Sequence, residues 1–127
     1  MILLNHEKQV AERLKKLAES IYKKEVGKKL RKLRVKYRLT QGQVATILRV
    51  DRSAYAYYET GRSLPSYSNL VTLAKIYSVT TDSILGYDGK VTLKEKAEII
   101  ACLANSESTR YSYNLLLTTT NTKENKK

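Results

Sequence analysis

The sequence predicts an all-α fold, and three observations carry that prediction. Apolar residues recur at spacings of three and four along most of residues 5–87. Residues that cap helices (Thr40, Asp51, Ser66, Thr80 and Thr92) stand at the starts of those periodic runs. Alternation of the strand type is confined to a short stretch near the C-terminus.

Residues 1–24 read as a helical extension. Val10, Leu14, Leu17 and Ile21 make a narrow stripe on an otherwise charged surface. Such a stripe serves a helix laid on its own domain or one paired with another copy, and two heptads do not decide between them. Residues 25–87 are more densely punctuated. Val26, Leu30, Leu33 and Tyr37 continue the helical spacing, with basic residues on the other faces. Thr40 and Gln43 form a capping box that opens a short helix expected to bury Val44, Ile47 and Leu48. Asp51 caps the next helix, and Gly61 supplies the left-handed residue that ends it. Pro65 and Ser66 start a further helix with Leu70, Leu73, Ala74 and Tyr77 inward; Thr80 opens a last short one that ends at Gly86. Five short helices with short connections make a globule in which each helix hides one stripe.

Residues 88–127 hold another capped helix and a tail, and like residues 1–24 they are expected to serve self-association, since their apolar faces need cover. Thr92 pairs with Glu95, and Leu93, Ala97, Ile100 and Ala104 share a face. Across 110–119, Tyr111, Tyr113, Leu115 and Leu117 alternate like a strand, which cannot stand alone and must pair with another element.

The chain has 127 residues, room for one modest core. Its net charge is +12, and residues 25–87 supply +7 of it through 11 basic and 4 acidic side chains. That excess favours a polyanionic partner, nucleic acid ahead of an acidic membrane surface. With one cysteine, Cys102, and one histidine, His6, the chain can build neither an internal disulfide nor a Cys/His zinc site. Its apolar runs fall far below the roughly 18 residues of a membrane span, so a soluble, cytoplasmic protein is expected. No nucleophile and base, metal cluster or phosphate-binding glycine loop points to an enzyme, and no cofactor or small-molecule ligand is expected.

The chemistry concentrates in "TQGQVATILRVDRSAYAYYETG", two short helices joined by a tight turn. At 100° per residue, Tyr55 and Tyr58 lie within about 60° of each other, and Ser53 and Tyr57 lie on the opposite side. Tyr55 and Tyr58 are therefore core candidates, and Arg52, Ser53 and Tyr57 are left to face a ligand. A second helix so presented fits the ~12 Å wide major groove.

Residues 25–87 resemble the Cro/CI-type helix-turn-helix domain of the XRE family of bacterial and phage regulators, a five-helix, lambda-repressor-like fold. "LTQ", "YETG", Pro65 and "LAKIYSVTTDSILG" carry the likeness jointly. The resemblance implies a sequence-specific, repressor-like regulator that binds double-stranded DNA as a homodimer on a palindromic operator. It places Gln41, Arg62, Ser63 and Ser66 at phosphates, and Arg52, Ser53, Ala54 and Tyr57 at bases. It also pairs Arg34 with Glu59 as a structural tie. Four residues, Arg49, Gly42, Ala54 and Ala56, depart from the family pattern. Arg49 stands where glycine is frequent in the turn, at a cost on the order of 1 kcal/mol if left-handed, so a somewhat different turn is expected. Gly42 weakens its helix, and Ala54 and Ala56 can make only apolar contacts. A competing reading is a protein-interaction module, such as an antitoxin or coactivator, with secondary DNA binding.

Overall fold

The computed structural model describes residues 2–102, 114 and 115, those at 2 and 3 by their backbone alone. Among them are six helices: α1 (Ile2–Lys36), α2 (Gln41–Leu48), α3 (Arg52–Thr60), α4 (Tyr67–Tyr77), α5 (Thr81–Leu85) and α6 (Leu93–Ala101). The chain divides into two compact units, one ending at Gly86 and the other beginning at Tyr87. The all-α expectation holds. The alternating stretch at 110–119 lies outside the described residues except for Asn114 and Leu115, and these two are helical rather than extended.

In the first unit, the expected N-terminal extension is not a separate element. It is the N-terminal two thirds of α1, which runs unbroken for 35 residues. Nothing at the 24/25 junction caps or breaks a helix, and the lone Gly27 costs about 1 kcal/mol without stopping propagation. Gly27 has a packing reason to be there: a Cβ would stand 2.6 Å from the Tyr58 carbonyl oxygen and also strike that of Glu59. α1 thus crosses the C-terminal end of α3 at a separation only glycine permits.

Local signals set the other helices. The Thr40 capping box forms, with Gln43 N–H donating to Thr40 Oγ1 at 3.1 Å and Thr40 N–H to Gln43 Oε1 at 2.8 Å. Ser66 and Thr80 accept the Asn69 and Ser83 N–H groups at the starts of α4 and α5. Gly61 and Gly86 end α3 and α5 at φ 81° and 82°. Asp51 sits at the N-cap of α3, but its side chain makes no capping bond.

The core contains Val26, Leu30, Val44, Ala45, Leu48, Tyr55, Tyr58, Leu73, Ala74, Tyr77 and Ile84. Ile47 departs from expectation: it is 50% exposed, and Ala45 takes the inward place. On a helix of two turns, Val44, Ala45 and Leu48 centre the buried face about 100° away from Ile47. Leu33 and Leu70 are only partly buried. Tyr37 lies at the rim, with its ring 5.5 Å from that of Tyr77 and its hydroxyl donating to the Tyr77 carbonyl at 2.9 Å.

In the second unit, α6 opens on the Thr92–Glu95 capping box. Of its expected face, Ile100 is buried, Leu93 and Ala97 are exposed, and Ala104 lies outside the described residues.

Candidate nucleic-acid interface

The turn between α2 and α3 sets how α3 is presented. Arg49 takes up the left-handed conformation (φ 58°, ψ 42°) as the C-cap of α2. Its N–H points to the Ala45 and Thr46 carbonyls, and the Val50 N–H reaches Ala45 O at 3.0 Å. The turn keeps its left-handed position despite the arginine, so the expected deviation does not occur. Val50 packs partly into the core while Arg49 and Asp51 stay exposed, so the chain enters α3 with its first residue in solvent.

Along α3 the tyrosines divide as their helical angles predict. Tyr55 is fully buried, Tyr58 is 9% exposed and Tyr57 is 40% exposed. The Tyr55 and Tyr58 rings meet edge to face at 6.0 Å, and the Tyr58 hydroxyl accepts from Asn69 Nδ2 at 3.2 Å, tying α3 to α4. Arg52, Ser53 and Tyr57 are exposed together, with Ala54 half-buried beside them.

Beneath this face lies a charged tie. Arg34 Nε donates to Glu59 Oε2 at 2.6 Å and Nη2 to Oε1 at 3.0 Å, while Nη1 reaches the Leu39 carbonyl at 2.9 Å. The pair is bidentate, and the two side chains are 14% and 4% exposed. Burial alone would raise the Glu59 pKa, but hydrogen bonds led by Arg34 bring it below the usual carboxylate range. Burial pushes the Tyr55 phenol well above its ordinary value, reinforced by Glu59 and Tyr77. Although those groups are near enough to act on it, the Tyr55 hydroxyl has no partner in standard hydrogen-bond geometry among the described residues, and neither has that of Tyr77. The effect is electrostatic: the Glu59 carboxylate is paired with Arg34 in the interior and adds no unpaired negative charge to α3.

The remaining predicted contacts fall into two groups. Arg62 and Ser63 follow α3, and their N–H groups bond the Tyr57 carbonyl at 3.0 and 3.2 Å, which folds the loop back along the helix. The Arg62 guanidinium then lies 4.5 Å from the Tyr57 ring centroid. This stacking pairs two residues expected to act separately and holds the exposed tyrosine in place. Gln41 and Ser66 are already engaged: Gln41 Nε2 donates to Glu59 Oε1 at 3.2 Å, and Ser66 Oγ accepts from Asn69 N at 3.2 Å. Both hold helix ends in position, and their backbone N–H groups stand among the four that the first turn of a helix leaves without intrahelical partners. Tyr67, not singled out from the sequence, begins α4 with 87% of its surface exposed. Its signal was its place at the first turn directly after a capping serine.

Among the described residues, no three His, Cys, Asp or Glu side chains gather as metal ligands, and no helix is long and apolar enough to cross a membrane.

Comparison with known proteins adds to this geometry. Residues 25–84 match the family model described as "Helix-turn-helix domain". The "HTH-type transcriptional activator BcrR" of Enterococcus faecalis is 38% identical over 71 residues, which cover 56% of this chain and 35% of that protein. The "Uncharacterized HTH-type transcriptional regulator YobD" of Bacillus subtilis is 37% identical over 76 residues, covering 57% of this chain and 68% of that protein. A solved transcriptional regulator from Listeria innocua, 26% identical, covers 74% of this chain and 90% of its own, with a TM-score of 0.49. The chain therefore spans about a third of one curated relative and two thirds of the other. The matched segment lies within the unit that presents α3, and the chain belongs to the helix-turn-helix transcriptional regulators.

Proposed function

We propose that this chain is a sequence-specific DNA-binding regulator of the XRE type that inserts α3 into the major groove. The observation that carries the reading is the division of α3. Tyr55, Tyr58 and Glu59 anchor it, and Arg52, Ser53 and Tyr57 share its exposed face in a segment of net charge +7. Arg52, at the N-terminal end that enters the groove first, forms a bidentate bond to guanine O6 and N7, worth roughly 1–3 kcal/mol of discrimination. Tyr57, stacked on Arg62, offers its hydroxyl to a phosphate or its ring to a thymine methyl, and Ala54 takes part in apolar contact only. Arg62, Ser63 and the N-terminal turns of α2 and α4, at Gln41 and Ser66, meet phosphates through side chains and backbone N–H groups.

A symmetric homodimer places two such helices in successive major grooves, ~34 Å apart, and reads a palindromic operator. Occupying that operator gives repressor-like regulation.

Selection of bound duplexes from random DNA tests the reading. A palindromic consensus is expected, with affinity falling steeply as salt rises. Arg52→Ala should relax the preference at one base pair in each half-site while leaving the fold intact. Equal binding of all duplexes by the wild type would overturn it.

A further inference from the structure

α1 carries two apolar faces on opposite sides of one rod. Val26 and Leu30, with Leu33 and Arg34 partly buried, turn toward the domain. Val10, Leu14, Leu17 and Ile21 centre about 180° around the helix from that set. They are 40%, 61%, 58% and 54% exposed. Because α1 is continuous, the stripe cannot turn back onto the core its own second half covers. Of the two uses open to such a stripe, laying the helix on its own core is excluded for this unit.

The stripe ends in charge. In its heptad frame Glu7 occupies the seam position before Val10, and Lys24 the one after Ile21; both are exposed. Beyond Lys24 the same face is basic, with Lys28, Arg31 and Lys32 around an exposed Val35. The small Ala11 and Ala18 flank the seam on one side, where they permit close approach.

We infer that residues 7–24 of α1 pair with the same segment of a second copy as an antiparallel two-helix coil. This names the interface of the homodimer proposed above and rests on that reading. Charge decides the direction. A parallel, in-register pair sets Glu7 against Glu7 and Lys24 against Lys24. The antiparallel pair sets Leu14 against the partner's Leu17, Val10 against the partner's Ile21, and Glu7 against the partner's Lys24 at both ends. The arrangement is isologous and closes on itself.

Light scattering and sedimentation of the full chain and three variants test this. The wild type should be a dimer at tens of micromolar. Leu14→Asp, on a side chain exposed in the single copy, should leave helicity unchanged and raise the dimer Kd at least ~100-fold by placing an unpaired charge in the seam. Glu7→Lys should raise the Kd roughly tenfold by turning two attractions into repulsions, and Glu7→Lys with Lys24→Glu should return it to near wild type. A monomeric wild type would overturn the interface and the homodimer reading together. A Leu14→Asp chain that remains a full dimer would overturn the interface alone. Failure of the double reversal to restore what Glu7→Lys lost would overturn the antiparallel direction, as would a Glu7→Lys variant with unchanged Kd.

Discussion

Two glycines in this protein should respond in opposite ways to the same substitution. Gly27 and Gly42 both lie inside α-helices, so replacing either by alanine gains about 1 kcal/mol of intrinsic helix stability. At Gly42 nothing opposes the gain, since a Cβ there would meet only Thr40 Oγ1, at 3.9 Å. Gly42→Ala should therefore raise stability by roughly 0.5–1 kcal/mol. At Gly27 the added carbon would lie 2.6 Å from Tyr58 O and 2.8 Å from Glu59 C, both backbone atoms that cannot rotate aside. Ordinary carbon contacts need about 3.5 Å or more, so α1 and α3 must part by close to 1 Å. A gap of that size forfeits a quarter to a half of each contact along the seam, where Val26 and Leu30 enter the core with Tyr55 and Tyr58. It also strains the bidentate Arg34–Glu59 pair, set at 2.6 and 3.0 Å. With overpacking and lost contacts at about 3 kcal/mol against a gain of about 1, Gly27→Ala should lose roughly 2 kcal/mol. The assay is urea and thermal unfolding by circular dichroism at one fixed protein concentration, since dimerisation would shift the midpoints. A Gly27→Ala protein as stable as Gly42→Ala would refute the close crossing of α1 over α3.

Four further outcomes follow from the same structure. Arg34→Met should cost about 3–5 kcal/mol by stranding the buried Glu59 carboxylate, and adding Glu59→Met should recover much of it, as read by urea midpoints. Glu59 has a depressed folded-state pKa, so its contribution is present above the unfolded value of about 4.3 and is lost as pH falls through the lower folded value. Acid titration of stability should therefore show a loss below about pH 4 that Glu59→Gln flattens. Tyr58→Ala should lower stability by about 3–5 kcal/mol, because it empties a core site and removes the acceptor for Asn69. Tyr57→Ala should change stability by less than about 1 kcal/mol, because it removes only an exposed ring stacked on Arg62, and should weaken binding to a selected operator.

How far each feature was legible depends on whether its cause was local. The capping boxes at Thr40 and Thr92 and the left-handed Gly61 and Gly86 were readable because each partner lies within a few residues. The division of Tyr55 and Tyr58 from Tyr57 was readable for a similar reason: one period and one helix decide it. Ile47 stays exposed against its apolar character, which does not say which side of a two-turn helix its neighbours will cover. The engagement of Gln41 by Glu59, 18 positions away, and the stacking of Arg62 on Tyr57 depend on where the chain returns after a turn.

By itself the sequence determined the helical class, the starts of α2 to α5, the stops of α3 and α5, and the residues offered on the outer face of α3. These follow from backbone capping, glycine at positive φ and the 3.6-residue period, all of which act over one or two turns. Tertiary structure alone decided that α1 is one rod with apolar faces pointing opposite ways, that Gly27 is the point where it crosses α3, and that Gln41 joins Arg34 on the buried Glu59 carboxylate. The physical reason is range: close approach and burial are properties of which surfaces meet, and no residue carries that information until the chain has folded back on itself.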